Sequence, residues 1–81
     1  MELPEQAARA LEVVRRDGRD LRYEVTEICH SRRYRLSVRY RPAAGGEFRL
    51  GLLYAEDRDA LERLRDALAA GDAATSAARA G

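Results

Sequence analysis

The chain has 81 residues, of which 36% are charged and 46% hydrophobic, and its formal net charge is +1. This length fits one domain, near the lower size at which a chain buries enough apolar surface to fold unaided. A net charge so close to zero argues against a protein that binds polyanions over its whole surface. Since there is neither an apolar signal region nor a membrane-spanning run, we expect a cytoplasmic protein.

The basic residues are unusual because all 15 of them are arginine. The plain explanation is a compositional bias of the encoding genome. The alternative is selection for the planar guanidinium fork, which suits phosphate and carboxylate recognition better than lysine does. The distribution is uneven as well, since six arginines and a single acid, Glu47, lie between Arg32 and Leu50.

A first helix is predicted at 4–17. Pro4 is tolerated in a first helical turn, and Glu5 complements the positive end of the helix dipole. Gly18 is a natural C-cap, and the segment 17–20 is predicted to turn away from the helix. The residues at helical spacing that form its apolar stripe are Ala7, Leu11 and Val14.

A first strand is predicted at 21–29, where apolar and polar residues alternate. The alternation slips at Glu27 and Ile28, because continuing it would bury Glu27 and expose Ile28. Either a bulge restores the phase there or the strand loosens near its end, and we favour the bulge. The chain reversal is expected at 30–33, with His30 in the loop and Cys29 as a small core residue.

The unbroken alternation at 34–41 predicts a half-buried second strand with tyrosines and aliphatic residues on one face and arginines on the other. A loop at 42–46 leads to a third strand at 47–54. If that loop closes symmetrically, every inward-facing cross-strand pair is apolar or aromatic. The predicted pairs are Arg41 with Glu47, Tyr40 with Phe48, Val38 with Leu50, Leu36 with Leu52, and Tyr34 with Tyr54.

A second helix follows, capped by Glu56 or Asp57 and ended by Gly71. Its buried stripe comprises Ala60, Leu61, Leu64, Ala67 and Leu68. Its acidic face is expected to be solvated, with local ion pairs to Arg58 and Arg65. We assign residues 1–71 to a single domain and predict a disordered C-terminal tail at 72–81.

The predicted fold is therefore α+β: an α-β-β-β-α chain whose three-stranded antiparallel meander has two helices packed on one face. A three-stranded sheet is only about 15 Å wide, so the two helices crowd each other. Either both share the face, or one reaches across to a second subunit. Because the outer strands also leave open edges, we expect a homodimer.

The polar face of strands two and three, which we call the arginine face, is the main candidate site. It extends about 26 Å along strand two, and Arg49 is expected beside Arg39. Such a surface suits a phosphate backbone. The competing interpretations are a solvated face and an acidic protein partner; the aromatic residues, predicted on the opposite face, weaken the nucleic-acid interpretation. The candidate binding residues are Arg33, Arg35, Arg39, Arg41 and Arg49.

Other candidate sites are weak. If Cys29 and His30 both continue the strand, they point to opposite faces and cannot form a nucleophile–base pair. One cysteine and one histidine do not make a zinc site, and a lone Glu27, even if buried, lacks a second catalytic group. We therefore expect no metal, no cofactor and no enzymatic activity.

The function predicted from the sequence is a small non-enzymatic module that binds nucleic acid through the arginine face. The alternative is a protein–protein adaptor or inhibitor that docks through an open strand edge or a helical face. The sequence does not distinguish a functional arginine row from a compositional one.

Overall fold

A computed structural model describes the backbone of residues 2–80 and the side chains of residues 2–72. It confirms an α+β fold with the predicted order of elements. The elements are α1 (Glu5–Asp17), β1 (Gly18–Ile28), β2 (Arg33–Pro42), β3 (Phe48–Ala55) and α2 (Arg58–Ala80).

The three strands form one antiparallel sheet in the order β1-β2-β3, and both helices pack on the same face of it. Helix α2 contacts β1 and β2, whereas α1 contacts all three strands. Crowding is thus resolved within one chain, since both helices contribute to a single small core. The buried core residues are Leu11, Val14, Leu36, Val38, Leu52 and Leu61.

Strand β1 begins earlier than predicted and has its irregularity in a different place. The pairing with β2 is regular from Arg22 to Ile28, so the predicted bulge at Glu27 is wrong. Glu27 lies opposite Tyr34 near the end of an edge strand, where its carboxylate reaches solvent. The register shift lies instead between Arg19 and Arg22, where Asp20 adopts a φ of 55°.

The predicted register of β2 and β3 is correct near the connecting loop and wrong beyond it. Tyr40 lies opposite Phe48 and Val38 opposite Leu50, as expected. After Ser37, which lies opposite Gly51, Leu36 faces Leu53 instead of Leu52. One extra residue in β3 therefore forms a β-bulge, and the remaining partners shift by one, so that Arg35 faces Tyr54 and Tyr34 faces Ala55.

Helix α2 begins with the expected cap, because Asp57 Oδ1 accepts a hydrogen bond of 3.2 Å from the Ala60 amide. Gly71 does not end this helix, which runs to Ala80. One glycine costs a helix only about 1 kcal/mol relative to alanine, and alanine-rich segments flank it. The side chains of residues 73–80 and the whole of residue 81 lie outside the described part, so the disordered tail at 72–81 stays a prediction.

The turn between β1 and β2 occupies residues 29–32, one residue earlier than predicted. His30 and Arg32 both have a positive φ, and the Ser31 hydroxyl donates a hydrogen bond of 2.9 Å to the Ile28 carbonyl. Cys29 is consequently exposed in this turn, so its predicted place in the core is wrong. Over the described residues, no helix is long and apolar enough to cross a membrane.

Candidate nucleic-acid interface

The arginine face lies on the side of the sheet opposite the two helices. Leu36 and Val38 are fully buried beneath the helices, so the residues that alternate with them in β2 point the other way. Strand pairing adds Arg49 from β3 and Arg22 from β1, both opposite Arg39. The sheet thus brings together all the predicted binding residues, Arg33, Arg35, Arg39, Arg41 and Arg49, together with Arg22, which the sequence analysis did not include.

Carboxylates compensate the centre of the arginine face. Glu24 on β1 lies 3.0 Å from Arg39 through Oε1 and 3.5 Å from Arg49 through Oε2. Glu47 adds a second contact to Arg39, 3.4 Å from its Nε. One glutamate bridging two guanidinium groups explains how the sheet tolerates adjacent like charges, which would otherwise be destabilising.

The positive charge at the C-terminal end of β2, on Arg41, is compensated more weakly. Arg41 lies 4.0 Å from Asp20, and both side chains are mostly exposed, so this contact contributes little to stability.

The opposite end of the arginine face is not compensated by any described side chain. None of the ion pairs that the described side chains form includes Arg33 or Arg35. The Nε of Arg35 is buried and has no hydrogen-bond partner among the described residues. Thr26 and Ile28, their neighbours on β1, carry no charge. Neither guanidinium group is therefore neutralised by a described carboxylate, although the Nε of Arg35 itself is shielded from solvent.

Tyr54 lies on the arginine face, although the sequence analysis places it with the core. The bulge in β3 is the cause, because Leu52 and Leu53 both pack into the core and the next side chain points outward. Tyr54 lies opposite Arg35 and remains 56% exposed. The adjacent leucines and the strand glycine Gly51 are the sequence signal that predicts such a bulge.

Gly51 leaves room for the Tyr54 side chain to fold back over the sheet. A Cβ atom on Gly51 would lie 3.1 Å from Tyr54 Oη and 3.6 Å from Arg35 Cδ. Ser37, the cross-strand neighbour of Gly51, is fully buried, and its hydroxyl has no partner among the described residues. Longer neighbouring side chains, including those of Tyr54 and Arg35, therefore cover Ser37 in the middle of the arginine face.

The other aromatic residues lie where the alternation places them. Tyr34 and Tyr40 pack against the core, and the rings of Tyr40 and Phe48 stack with centroids 6.3 Å apart. Phe48 is on the helix side of the sheet but remains 55% exposed. Tyr54 is thus the aromatic residue that the fold places among the arginines.

A second polar cluster joins the two helices to the sheet on the opposite face. The Tyr23 hydroxyl donates a hydrogen bond to Asp72 Oδ2, and Arg15 Nε lies 2.8 Å from Asp72 Oδ1. Burial, together with the hydrogen bond to Asp72, raises the pKa of Tyr23 to about 12. Because the three residues come from β1, α2 and α1, we infer that this cluster stabilises the packing of both helices on the sheet.

The remaining candidate residues, Cys29 and His30, lie in the turn between β1 and β2. His30 is in the turn, as expected, and Cys29 beside it is exposed. Among the side chains that the structure describes, no three histidine, cysteine or acidic residues are grouped to hold a metal ion.

No family model, curated protein or solved structure matched this chain. The geometry of the arginine face is therefore the basis for a functional proposal.

Proposed function

We propose that this protein is a small non-enzymatic binding module that holds the phosphate backbone of nucleic acid on the arginine face. The observation that carries the proposal is the pair Arg33 and Arg35, which lie on one face without a carboxylate partner among the described side chains. Guanidinium groups bind phosphate oxygens through charge-assisted, bidentate hydrogen bonds. The Arg33 side chain is exposed and that of Arg35 half-buried, so a phosphate can approach this end of the sheet from solvent.

The contribution of each arginine follows from its surroundings. Arg39 and Arg49 already share Glu24, so a phosphate would have to displace an existing ion pair to reach them. Arg33 and Arg35 have no such ion pair to lose among the described side chains. We therefore expect the Arg33–Arg35 end to dominate the affinity, with Arg39, Arg41 and Arg49 adding longer-range attraction.

A salt titration tests the proposal. Binding of a labelled mixed-sequence oligonucleotide is measured by fluorescence anisotropy between about 50 and 200 mM salt, where each phosphate contact to a single strand contributes about 0.7 to the logarithmic slope. We expect Arg35→Ala to weaken binding and to reduce that slope by roughly one contact. Arg39→Ala should change the slope less, since two carboxylates already compensate Arg39.

Arg16→Ala is the matched control, because it removes one exposed arginine from α1, on the far side of the sheet. It should leave the slope nearly unchanged. If oligonucleotides do not bind even at the lowest salt concentration, the arginine face is not a nucleic-acid site and the proposal is wrong.

The alternative function, a protein–protein adaptor, is favoured by a separate observation. Among the described residues, strands β1 and β3 each pair on one side only in the sheet order β1-β2-β3, which leaves two edges for β-augmentation. Main-chain hydrogen bonds dominate such docking, so an adaptor would hold its partner at salt concentrations that abolish binding through arginines. Binding of an acidic protein to the arginine face would weaken with salt. It would not be displaced by a neutral peptide that binds at a strand edge.

A further inference from the structure

We propose that Tyr54 is a base-stacking position and that the arginine face therefore binds single-stranded nucleic acid in preference to duplex. This inference rests on the proposed function and specifies its ligand. It follows from the juxtaposition of an exposed aromatic ring with the uncompensated end of the arginine face.

The first step is the placement of Tyr54. Without the bulge at Leu52, the alternation of β3 would turn this ring toward the helices. With the bulge, Tyr54 lies directly across from Arg35 and leaves 56% of its surface exposed. A tyrosine ring exposed beside arginines is the combination that single-strand-binding surfaces use, since every base has a flat face that can stack on it.

The second step is the spacing of the phosphate-binding groups. Arg33 and Arg35 point to the same side of β2 and are about 7 Å apart along the strand. Two neighbouring phosphates of an extended strand can meet these two guanidinium groups while the intervening base lies on Tyr54. The β1 side chains that border this end on the arginine face, Thr26 and Ile28, are uncharged, and Glu27 between them lies on the helix side.

The third step is the shape of the surface. A duplex keeps its bases stacked on one another and offers a protein its backbone and its grooves. A major groove about 12 Å wide admits a helix or a two-stranded ribbon, whereas three strands present a face about 15 Å wide. Tyr54 therefore has no exposed base to contact in a duplex. A duplex can make only the phosphate contacts to the arginines.

The experiment compares one labelled mixed-sequence DNA oligonucleotide with the same oligonucleotide annealed to its complement, at constant salt. Tyr54→Ala should weaken single-strand binding by about fivefold or more and leave duplex binding unchanged. Tyr54→Phe keeps the ring and should bind like the parent protein. Phe48→Ala is the matched control, because Phe48 is 55% exposed on the same strand but lies on the helix side.

A second measurement reports on stacking independently of affinity. The chain contains no tryptophan, so Tyr54→Trp introduces a single indole at the proposed position. Its fluorescence should be quenched by the single strand and not by the duplex. Thermal unfolding of each variant, followed by circular dichroism, shows that a loss of binding is not a loss of fold.

The outcomes separate the two proposals. Equal binding of both forms with no effect of Tyr54→Ala would overturn the stacking position and leave the arginine face as a backbone-binding site. Absence of binding by either form would overturn the proposed function, and the stacking position with it. Tighter binding of the single strand that leaves the indole fluorescence of the Tyr54→Trp variant unquenched would also contradict base stacking.

Discussion

Tyr23 on β1 donates a hydrogen bond to Asp72 on α2, 49 residues further along the chain. Since Asp72 also contacts Arg15, this bond helps to connect both helices to the sheet. We expect Tyr23→Phe to lower the free energy of unfolding by about 1 kcal/mol or somewhat more, because the acceptor is charged. Urea denaturation measures this change. Tyr34→Phe removes a hydroxyl that makes no hydrogen bond with the described side chains, and it should cost less.

The burial of the Tyr23 hydroxyl, together with the same bond, predicts a dependence of stability on alkaline pH. The pKa of Tyr23 is about 12 in the folded protein, above its ordinary value of 10.0. Its contribution is therefore complete below about pH 10 and is lost as the pH rises toward 12, because the unfolded chain releases the proton first. Denaturation midpoints measured across this range should fall more steeply for the parent protein than for Tyr23→Phe. Parallel curves would contradict the raised pKa of Tyr23, and with it the buried, hydrogen-bonded hydroxyl.

Gly18 and Gly71 should respond in opposite directions to replacement by alanine. A Cβ atom on Gly18 would lie 2.7 Å from the Val14 carbonyl oxygen and 2.9 Å from Tyr40 Cδ2, so Gly18→Ala must displace backbone. We expect it to destabilise the fold by about 1–3 kcal/mol. The Cβ of Gly71→Ala meets nothing within 4 Å and lies within α2, so this variant should stabilise by up to about 1 kcal/mol. Urea denaturation of the two variants checks both signs.

The homodimer stays a prediction, and it can be measured directly. The Ala60, Leu64 and Ala67 side chains of α2 line a shallow groove with Arg63, so the helix keeps a partly apolar outer side. If two chains associate through it, sedimentation equilibrium should give a dimer mass, and Ala67→Glu, at an exposed position of the groove, should convert the dimer to a monomer. A monomer mass for the parent protein at all accessible concentrations would exclude this dimer.

The sequence predicted those parts of the fold in which a local pattern is unambiguous. The alternation around Leu36 and Val38 is unbroken, and the glycine loop fixes the pairing of Tyr40 with Phe48. Prediction failed where two rules compete. Leu52 and Leu53 cannot both point inward in a regular strand, and the fold resolves this conflict with a bulge that alternation alone does not place.

The sequence analysis predicted the arginines of the candidate site but not its aromatic residue, Tyr54. Arg33 and Arg35 follow from the period of two, which places them opposite the core whatever the tertiary packing. The position of Tyr54 depends on the bulge two residues earlier, so counting from the loop places it on the wrong face. Asp72 was missed because its partners, Tyr23 and Arg15, are distant in sequence and no local pattern marks them.

The most direct test of the arginine face is to remove the carboxylate that compensates its centre. Glu24→Gln releases Arg49 and leaves Arg39 with Glu47 alone, so oligonucleotide binding at constant salt should become about two- to fivefold tighter, with a steeper salt dependence. Glu12→Gln makes the same change of net charge from α1, on the far side of the sheet, and should have much less effect. If both variants bind equally well, or Glu24→Gln binds no more tightly than the parent protein, nucleic acid does not bind at this face.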